Sequence, residues 1–399
     1  METLRFLMTS TLYPPYHLGG DAIHVKYLAE ELVKRGHEVH VLHSLDAYRI
    51  KRKNLPEKVE QDGIFTHAIK THLNISSYTA YAFGNSPSIL KKFRGLVREI
   101  KPDVVHYHNI SLLGYGILEK HDDYLNLYTA HDYWLICQQN NLLKNRFEIC
   151  KGSSCFYCAL RWGRPPQLWR RFKSFRRAIE CIDLIITPSN YVQRKLSQEI
   201  CVRSLTLPNF VPSPPENISP IDCTNYFFFV GLLEKHKGIL GLLDLFKEFR
   251  REIKARLVIV GDGSLKNYIR AFIERNSLNS LVSYIGFVSD KNKVYSLYKE
   301  ALAVIMPSIW PENAPLVALE ALSVGTPVIA SNNGGLPEIV EKLDKKLIFN
   351  NWIELQNILL NFSRNEFPSD KIKAVYEQNF SPKMYLDKYI ETIQRALCK

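Results

Sequence analysis

The chain has 399 residues, 46% of them apolar and 23% charged, so it is too apolar to be disordered and long enough for two or three domains with their own cores. Its 19 glycines and 20 prolines exclude a collagen-like or linker-rich protein, its 8 cysteines are too few for a disulfide scaffold, and no apolar run nears the ~18 residues of a membrane span. Residues 1–210 hold 29 Lys and Arg against 19 Asp and Glu, whereas residues 211–399 hold 23 against 21, so a basic first half points to an anionic partner.

The N-terminus enters a strand pattern at Leu4 to Met8 without the basic start and apolar stretch of a secretory signal, which predicts a soluble, cytoplasmic protein. Arg5 to Ser10 reads as a strand, Tyr13 to Asp21 as a loop, and Ala22 to Arg35 as a helix that stops at Gly36. Strands follow at Glu38–His43, Asp103–His106, Leu125–Ala130 and Leu184–Thr187. Val211 to Pro220, with four prolines, is the best linker. The alternation then restarts with strands at Tyr226–Val230, Arg256–Val260, Val282–Ile285, Ala303–Met306 and Pro327–Ala330. The last stretch has helical apolar spacing at Tyr385, Tyr389, Ile393 and Leu397. No short-period repeat is present. The pattern predicts an α/β chain of two doubly wound domains, with ligands bound beyond the carboxyl ends of the strands in a cleft between them.

The densest chemical signal is Pro307 to Gly335. A helix beginning near Pro315 would leave Glu312 just before its N-terminus, with first-turn amides ready for a phosphate. Glu320, about a turn and a half inside, could reach a ribose hydroxyl pair. These residues resemble the retaining glycosyltransferases of family 4, which have the GT-B fold: Pro307-Ser308, Glu312, Glu320 and Gly325-Thr326-Pro327-Val328 reproduce the Glu-x7-Glu motif in order and spacing. Gly19-Gly20, His24, Arg35-Gly36-His37-Glu38-Val39, Ala130-His131-Asp132, Pro188-Ser189, Pro208-Asn209, Val230-Gly231, Lys237-Gly238 and Gly261-Asp262-Gly263 extend the resemblance over nearly the whole chain. It covers the subset with a cysteine cluster after Ala-His-Asp.

The resemblance implies two Rossmann-like domains facing each other across a cleft. Residues 1–210 would bind the acceptor, with a cysteine-rich insert at about 137–177. Residues 211–222 would be the hinge, 223–381 the nucleotide-sugar domain, and 382–399 a helix returning to the first domain. It implies that a sugar passes with retention from a nucleoside-diphosphate sugar to an acceptor, without a metal in the chemistry. Glu312 would hold sugar hydroxyls and Glu320 the ribose. Lys237 and the Gly19 and Gly20 amides would neutralise the pyrophosphate, and His131 would lie beside the transferred sugar. Gly231, Gly261, Asp262, Phe287 and Val288 would surround the nucleotide through backbone. The chain departs from the family in two places. Leu232 replaces an Arg that binds pyrophosphate, leaving Lys235, His236 or Lys237 to carry that charge alone, or an Arg from elsewhere to help. Asn313-Ala314-Pro315 replaces Pro-Phe-Gly, making Leu316 and Val317 the expected amide donors because proline has no N–H.

Two further segments stand out. Cys137, Cys150, Cys155 and Cys158, with Lys151 to Ser154 as a flexible knuckle, have spacing suited to one structural zinc; a disulfide and unligated thiols are the alternatives. Cys181, Cys201, Cys223 and Cys398 read as packing or surface thiols. Arg161 to Arg177 holds seven cations and no acid, with Leu168, Trp169, Phe172 and Phe175 near helical spacing. That segment suits an anionic membrane surface or, equally, a helix packed on its own domain. The expected acceptor is a lipid-linked or membrane-associated glycan, with the protein peripheral on the inner face of the cell membrane. A catalytically silent partner subunit is the alternative. No nucleic-acid motif accompanies the charge, so nucleic acid is not an expected partner.

Overall fold

A computed structural model describes residues 3–52, 54–57, 62–144, 148–150, 152, 155–221 and 225–398. The chain divides into two compact units, Met1–Pro208 with Tyr385–Lys399, and Asn209–Met384. Cys223 and, in the knuckle, Lys151, Ser153 and Ser154 lie outside the described residues.

In the first unit, strands β1 (Arg5–Thr9), β2 (Glu38–Ser44), β3 (Ile64–Ile69), β4 (Val104–Tyr107) and β5 (Leu125–Thr129) precede a short antiparallel pair, β6 (Leu143–Lys144) and β7 (Glu148–Ile149). Strands β8 (Leu184–Thr187) and β9 (Ser204–Thr206) complete a seven-stranded parallel sheet in the order β3-β2-β1-β4-β5-β8-β9. Strands β1, β4, β5 and β8 are buried almost end to end. Helices on both faces of a parallel sheet demand such continuous apolar runs. The order reverses between β1 and β4, so the loops after these strands splay apart and leave a crevice at their carboxyl ends.

The second unit repeats this plan with β10 (Tyr226–Val230), β11 (Arg256–Val260), β12 (Val282–Gly286), β13 (Ala303–Met306), β14 (Val328–Ser331) and β15 (Ile348–Phe349). Their parallel order is β12-β11-β10-β13-β14-β15, with the switch between β10 and β13. The fold is therefore two Rossmann-like sheets with helices. The chain joins the second unit at Asn209, earlier than the hinge expected at 211–222. Phe210 and Val211 are buried there, and the Tyr376 hydroxyl donates to the Val211 carbonyl at 2.8 Å.

Local differences from the sequence reading have physical causes. The first helix is Gly20–Lys34, beginning two residues early because Gly19, in an extended conformation, takes the N-cap position. Strand β3 was not expected, because its alternating exposure is interrupted by polar residues at the sheet edge. The helix expected within Arg161 to Arg177 is broken into a 3-10 turn, Leu168–Arg171, and a helix, Lys173–Glu180. Trp169 and Phe175 point into the core with Trp134, each contributing about 1.5–3 kcal/mol through burial. Leu168 and Phe172 remain exposed.

The helix Pro382–Leu397 buries Tyr385, Leu386, Tyr389, Ile390 and Ile393. From Tyr385 onward it belongs to the first unit, where Tyr389 stacks on Phe6 and Asp387 pairs with Arg35 at 2.8 Å. Among the described residues no helix is long and apolar enough to cross a membrane.

Candidate active site

In the second unit the turns after β10 and β11 interlock. Gly261 has φ +146°, and a Cβ there would collide with the Gly231 carbonyl, so only glycine permits this approach. The Gly231 N–H donates to Val260 and that of Gly261 to Gly286, at 3.1 and 2.9 Å. Asp262 beside them is half-exposed and pairs with Lys266 at 3.2 Å. Phe287 is 73% exposed beyond the end of β12, and Val288 follows it half-buried. This end of the sheet thus presents backbone groups with one bare aromatic ring.

Lys237 ends the 3-10 turn Lys235–Lys237, and its Nζ donates to Glu312 Oε1 at 2.6 Å. The same oxygen accepts from the Ser308 hydroxyl at 2.7 Å. Burial alone would raise the Glu312 carboxyl; Lys237 opposes it most strongly, and with Ser308 and Trp310 it holds the group below the usual range. Lys237 also lies 5.3 Å from the Trp310 ring centroid. The loop bearing Glu312 is anchored by its own backbone, since Gly335 N–H donates to the Glu312 carbonyl at 2.6 Å, and by Asn209, which donates to the Ala314 carbonyl at 2.9 Å.

The helix after this loop is Leu316–Ser323 with Pro315 at its N-cap, as its sequence predicts. Leu316 and Val317 form its first turn, and Glu320 lies farther along, accepting from the Tyr298 hydroxyl at 2.8 Å. Burial raises the Glu320 carboxyl, and the Tyr298 bond tempers this. Leu232, where the family has Arg, is 49% exposed. His236 packs edge-on against Trp310, and burial followed by Lys237 lowers its pKa, so it is no cation at neutral pH. Charge here falls to Lys237 and Lys235.

Gly19, Gly20 and His131 belong to the first unit. Gly19 and Gly20 open the first helix after β1, and Asp21 in its first turn accepts from Asn109 at 2.7 Å. His131 follows β5, and its Nε2 lies 2.9 Å from His108 Nδ1. Burial takes its pKa to about 4, against a smaller upward pull from Asp21. Asp132 accepts from the Trp134 N–H at 2.8 Å and from Asn140 at 3.2 Å, yet burial pushes it up to about 7.

The cysteines expected to bind zinc line one small cavity of about 20 Å³ together with Gln138, Gln139, Leu143 and Lys144. Burial, and after it the neighbouring sulfurs, push up the Cys155 and Cys158 thiols. All seven described cysteines are free thiols, which corrects the disulfide alternative for Cys137, Cys150, Cys155 and Cys158. Among the described residues no three His, Cys, Asp or Glu side chains are set to hold a metal ion. Beside these cysteines Arg170, expected among surface cations, is half-buried. Its guanidinium lies 4.8–5.3 Å from the centroids of Trp134, Trp169 and Phe175 and donates to the Trp134 carbonyl at 2.6 Å. Burial lowers its pKa to about 10.

Comparison with known families matches both units. The model described as Glycosyltransferase Family 4 matches residues 18–212, and that described as Glycosyl transferases group 1 matches residues 216–394. The chain is a glycosyltransferase of the family 4, GT-B type. An uncharacterised glycosyltransferase of Methanocaldococcus jannaschii is 25% identical to the transferase over 366 residues, 85% of this chain and 83% of the relative. Sucrose-phosphate synthase from Thermosynechococcus elongatus shares the fold at a TM-score of 0.71 and 17% identity, covering 99% of this chain and all of the other. The Anabaena protein HepE in complex with UDP shares it at 0.64 and 16%, again over 99% of this chain and all of the other.

In the transferase, sequence reasoning missed Trp310, Tyr298 and His108. The first two carry no local signal, because their roles arise from turns that meet only after folding. His108 had one: His106 in β4 and His108 just beyond its end are two residues apart, and the partner strand β5 leads to His131. Residues two apart along an extended chain share a face.

Proposed function

We propose that the transferase moves a sugar from a nucleoside-diphosphate sugar to a lipid-linked or membrane-associated glycan, with retention of configuration. The observation that carries this reading is the Lys237–Glu312–Ser308 cluster beside the N-terminus of the helix Leu316–Ser323. Lys237 would turn from Glu312 to the pyrophosphate, joined by the Leu316 and Val317 amides. Fixed donors of this kind stabilise the charge of a departing diphosphate. Glu312 would then accept from sugar hydroxyls, Glu320 from the ribose, and the backbone at Gly231, Gly261, Asp262 and Val288 would hold the nucleotide.

In this reading the bond from the anomeric carbon to the phosphate oxygen breaks as the acceptor oxygen attacks from the same face. The acceptor's proton passes to the leaving phosphate oxygen, so no metal enters the chemistry. His131 would face the transferred sugar. The basic segment 161–177, with Leu168 and Phe172 exposed, would meet an anionic lipid surface at the inner face of the cell membrane. Binding to liposomes with and without anionic lipid checks that part; equal absence from both removes it.

The cysteine cavity suits a structural zinc by donor chemistry, since a cation would relieve thiols that their neighbours push up. Metal analysis of purified protein should find one zinc per chain, lost with a drop in Tm in Cys155→Ser; a metal-free native protein rejects the ion.

The donor is tested by thermal shifts against a panel of nucleotide sugars, with and without EDTA. One compound should raise the Tm, since saturation at 100 times Kd adds about 2.7 kcal/mol. Glu312→Ala and Lys237→Ala should abolish the shift. If no nucleotide sugar stabilises the protein, the proposed donor chemistry fails.

A further inference from the structure

Four histidines, His24, His106, His108 and His131, lie together in the first unit, and the chemistry above uses only one of them. His108 and His131 stack with ring centroids 5.2 Å apart and share one hydrogen bond, between His108 Nδ1 and His131 Nε2 at 2.9 Å. A neutral pair has one proton to place in that bond. Two arrangements are open, and the far side of His108 decides between them. His108 Nε2 is buried and meets no polar partner among the described residues. A buried N–H without an acceptor is rarer and more costly than a buried lone pair without a donor. The His108 proton therefore belongs on Nδ1, where it is donated, and His131 Nε2 must accept it.

We propose that His108 is a positioning residue that holds His131 as the neutral Nδ1–H tautomer, so that the ring offers a donor and not a general base at Nδ1. The hydrogen bond at one imidazole nitrogen fixes the proton at the other. His106 backs His108, with ring centroids 3.9 Å apart. It is itself held by the Tyr389 hydroxyl at 2.7 Å and Thr129 Oγ1 at 2.8 Å, so the C-terminal helix fixes the stack from behind. Burial keeps both rings neutral: it lowers His108 far below its ordinary value, helped by His106, His131 and His24, and takes His131 to about 4 despite Asp21. A doubly protonated pair would aim two donors at each other in the same space.

The tautomer does not depend on the sugar-facing reading of His131; only its consequence for turnover does. In protein labelled with 15N-histidine, long-range proton–nitrogen correlation at pH 7.5 distinguishes the forms, and His131→Gln identifies the His131 signals. We expect a non-protonated Nε2 and a protonated Nδ1 in the wild-type protein. A protonated Nε2, or an average of the two forms, overturns the proposal. His108→Asn supplies an amide N–H in place of Nδ1–H and should keep the pattern, whereas His108→Leu should release His131 to a mixture. Turnover should fall about tenfold or more in the leucine variant, with donor KM nearly unchanged, and return in the asparagine variant. If the tautomer is as expected and the leucine variant still turns over normally, the positioning stands and His131 loses its place at the sugar.

Discussion

Glu312 and Lys237 form a part-buried ion pair, with the carboxylate as its buried member. The carboxylate is 4% exposed, and without Lys237 it would sit uncompensated in the same pocket. Breaking a buried pair from one side costs about 3–5 kcal/mol. Lys237→Ala should therefore lower stability in urea unfolding, and adding Glu312→Gln should recover much of the loss. Activity should not recover if, as proposed, both groups hold the donor; a fall on the order of 10²–10³ in kcat is then expected from the loss of one such contact. Recovered turnover in the double variant would place the pair outside the chemistry. Glu312 was singled out by the motif spacing and Lys237 by the family resemblance, but their partnership was not legible. Seventy-five positions separate them, and only the switch between β10 and β13 brings their turns together.

At the scale of elements, the turn between Lys237 and the helix Ile239–Glu248 carries the tightest constraint near the site. Gly238 has φ +76°, and a Cβ there would collide with the Pro307 carbonyl. Gly238→Ala should destabilise the second unit by about 1–3 kcal/mol and weaken nucleotide-sugar binding, both read from Tm with and without ligand. Gly95, inside the helix Pro87–Ile100, meets nothing within 4 Å, so Gly95→Ala is the control and should stabilise by about 0.5–1 kcal/mol. Strands with unbroken apolar runs were legible from sequence, as was the helix after Pro315. The segment 161–177 was less so. Its aromatic spacing fits a helix, but Trp169 and Phe175 are drawn into the core around Arg170, and the chain breaks between them to satisfy that packing.

Across the whole molecule, buried histidines set the response to acid. His43, His67 and His131 are lowered to about 4, and His24, His106 and His108 are lowered strongly, by burial first in every case. The unfolded chain takes up these protons near pH 6.5, whereas the folded one resists them, His43, His67 and His131 until near pH 4. Their contribution is therefore complete above about pH 6.5 and is lost as pH falls, at about 1.4 kcal/mol per pH unit for each proton. Asp132, raised to about 7, works the other way: its contribution is present below the unfolded carboxylate range and is lost as pH rises through 7. Six histidines outweigh it, so Tm should fall steeply between pH 6.5 and 5. A flat profile over that interval would mean the histidines are protonated in the folded state.

The sequence by itself determined the two doubly wound units, the Glu312 and Glu320 spacing and the glycine turns, because strand burial, helix capping and positive φ are decided by residues near one another in the chain. Tertiary structure alone decided which groups meet: Tyr298 on Glu320, Trp310 against Lys237, and Tyr389 behind His106, 283 positions away. It also decided that Arg170 packs on the core rings of Trp134, Trp169 and Phe175 and that the four cysteines line one small cavity. Such pairings depend on which sheet edges and loops become neighbours, and a hydrogen bond or ring contact between them leaves no periodic trace in the sequence that forms it.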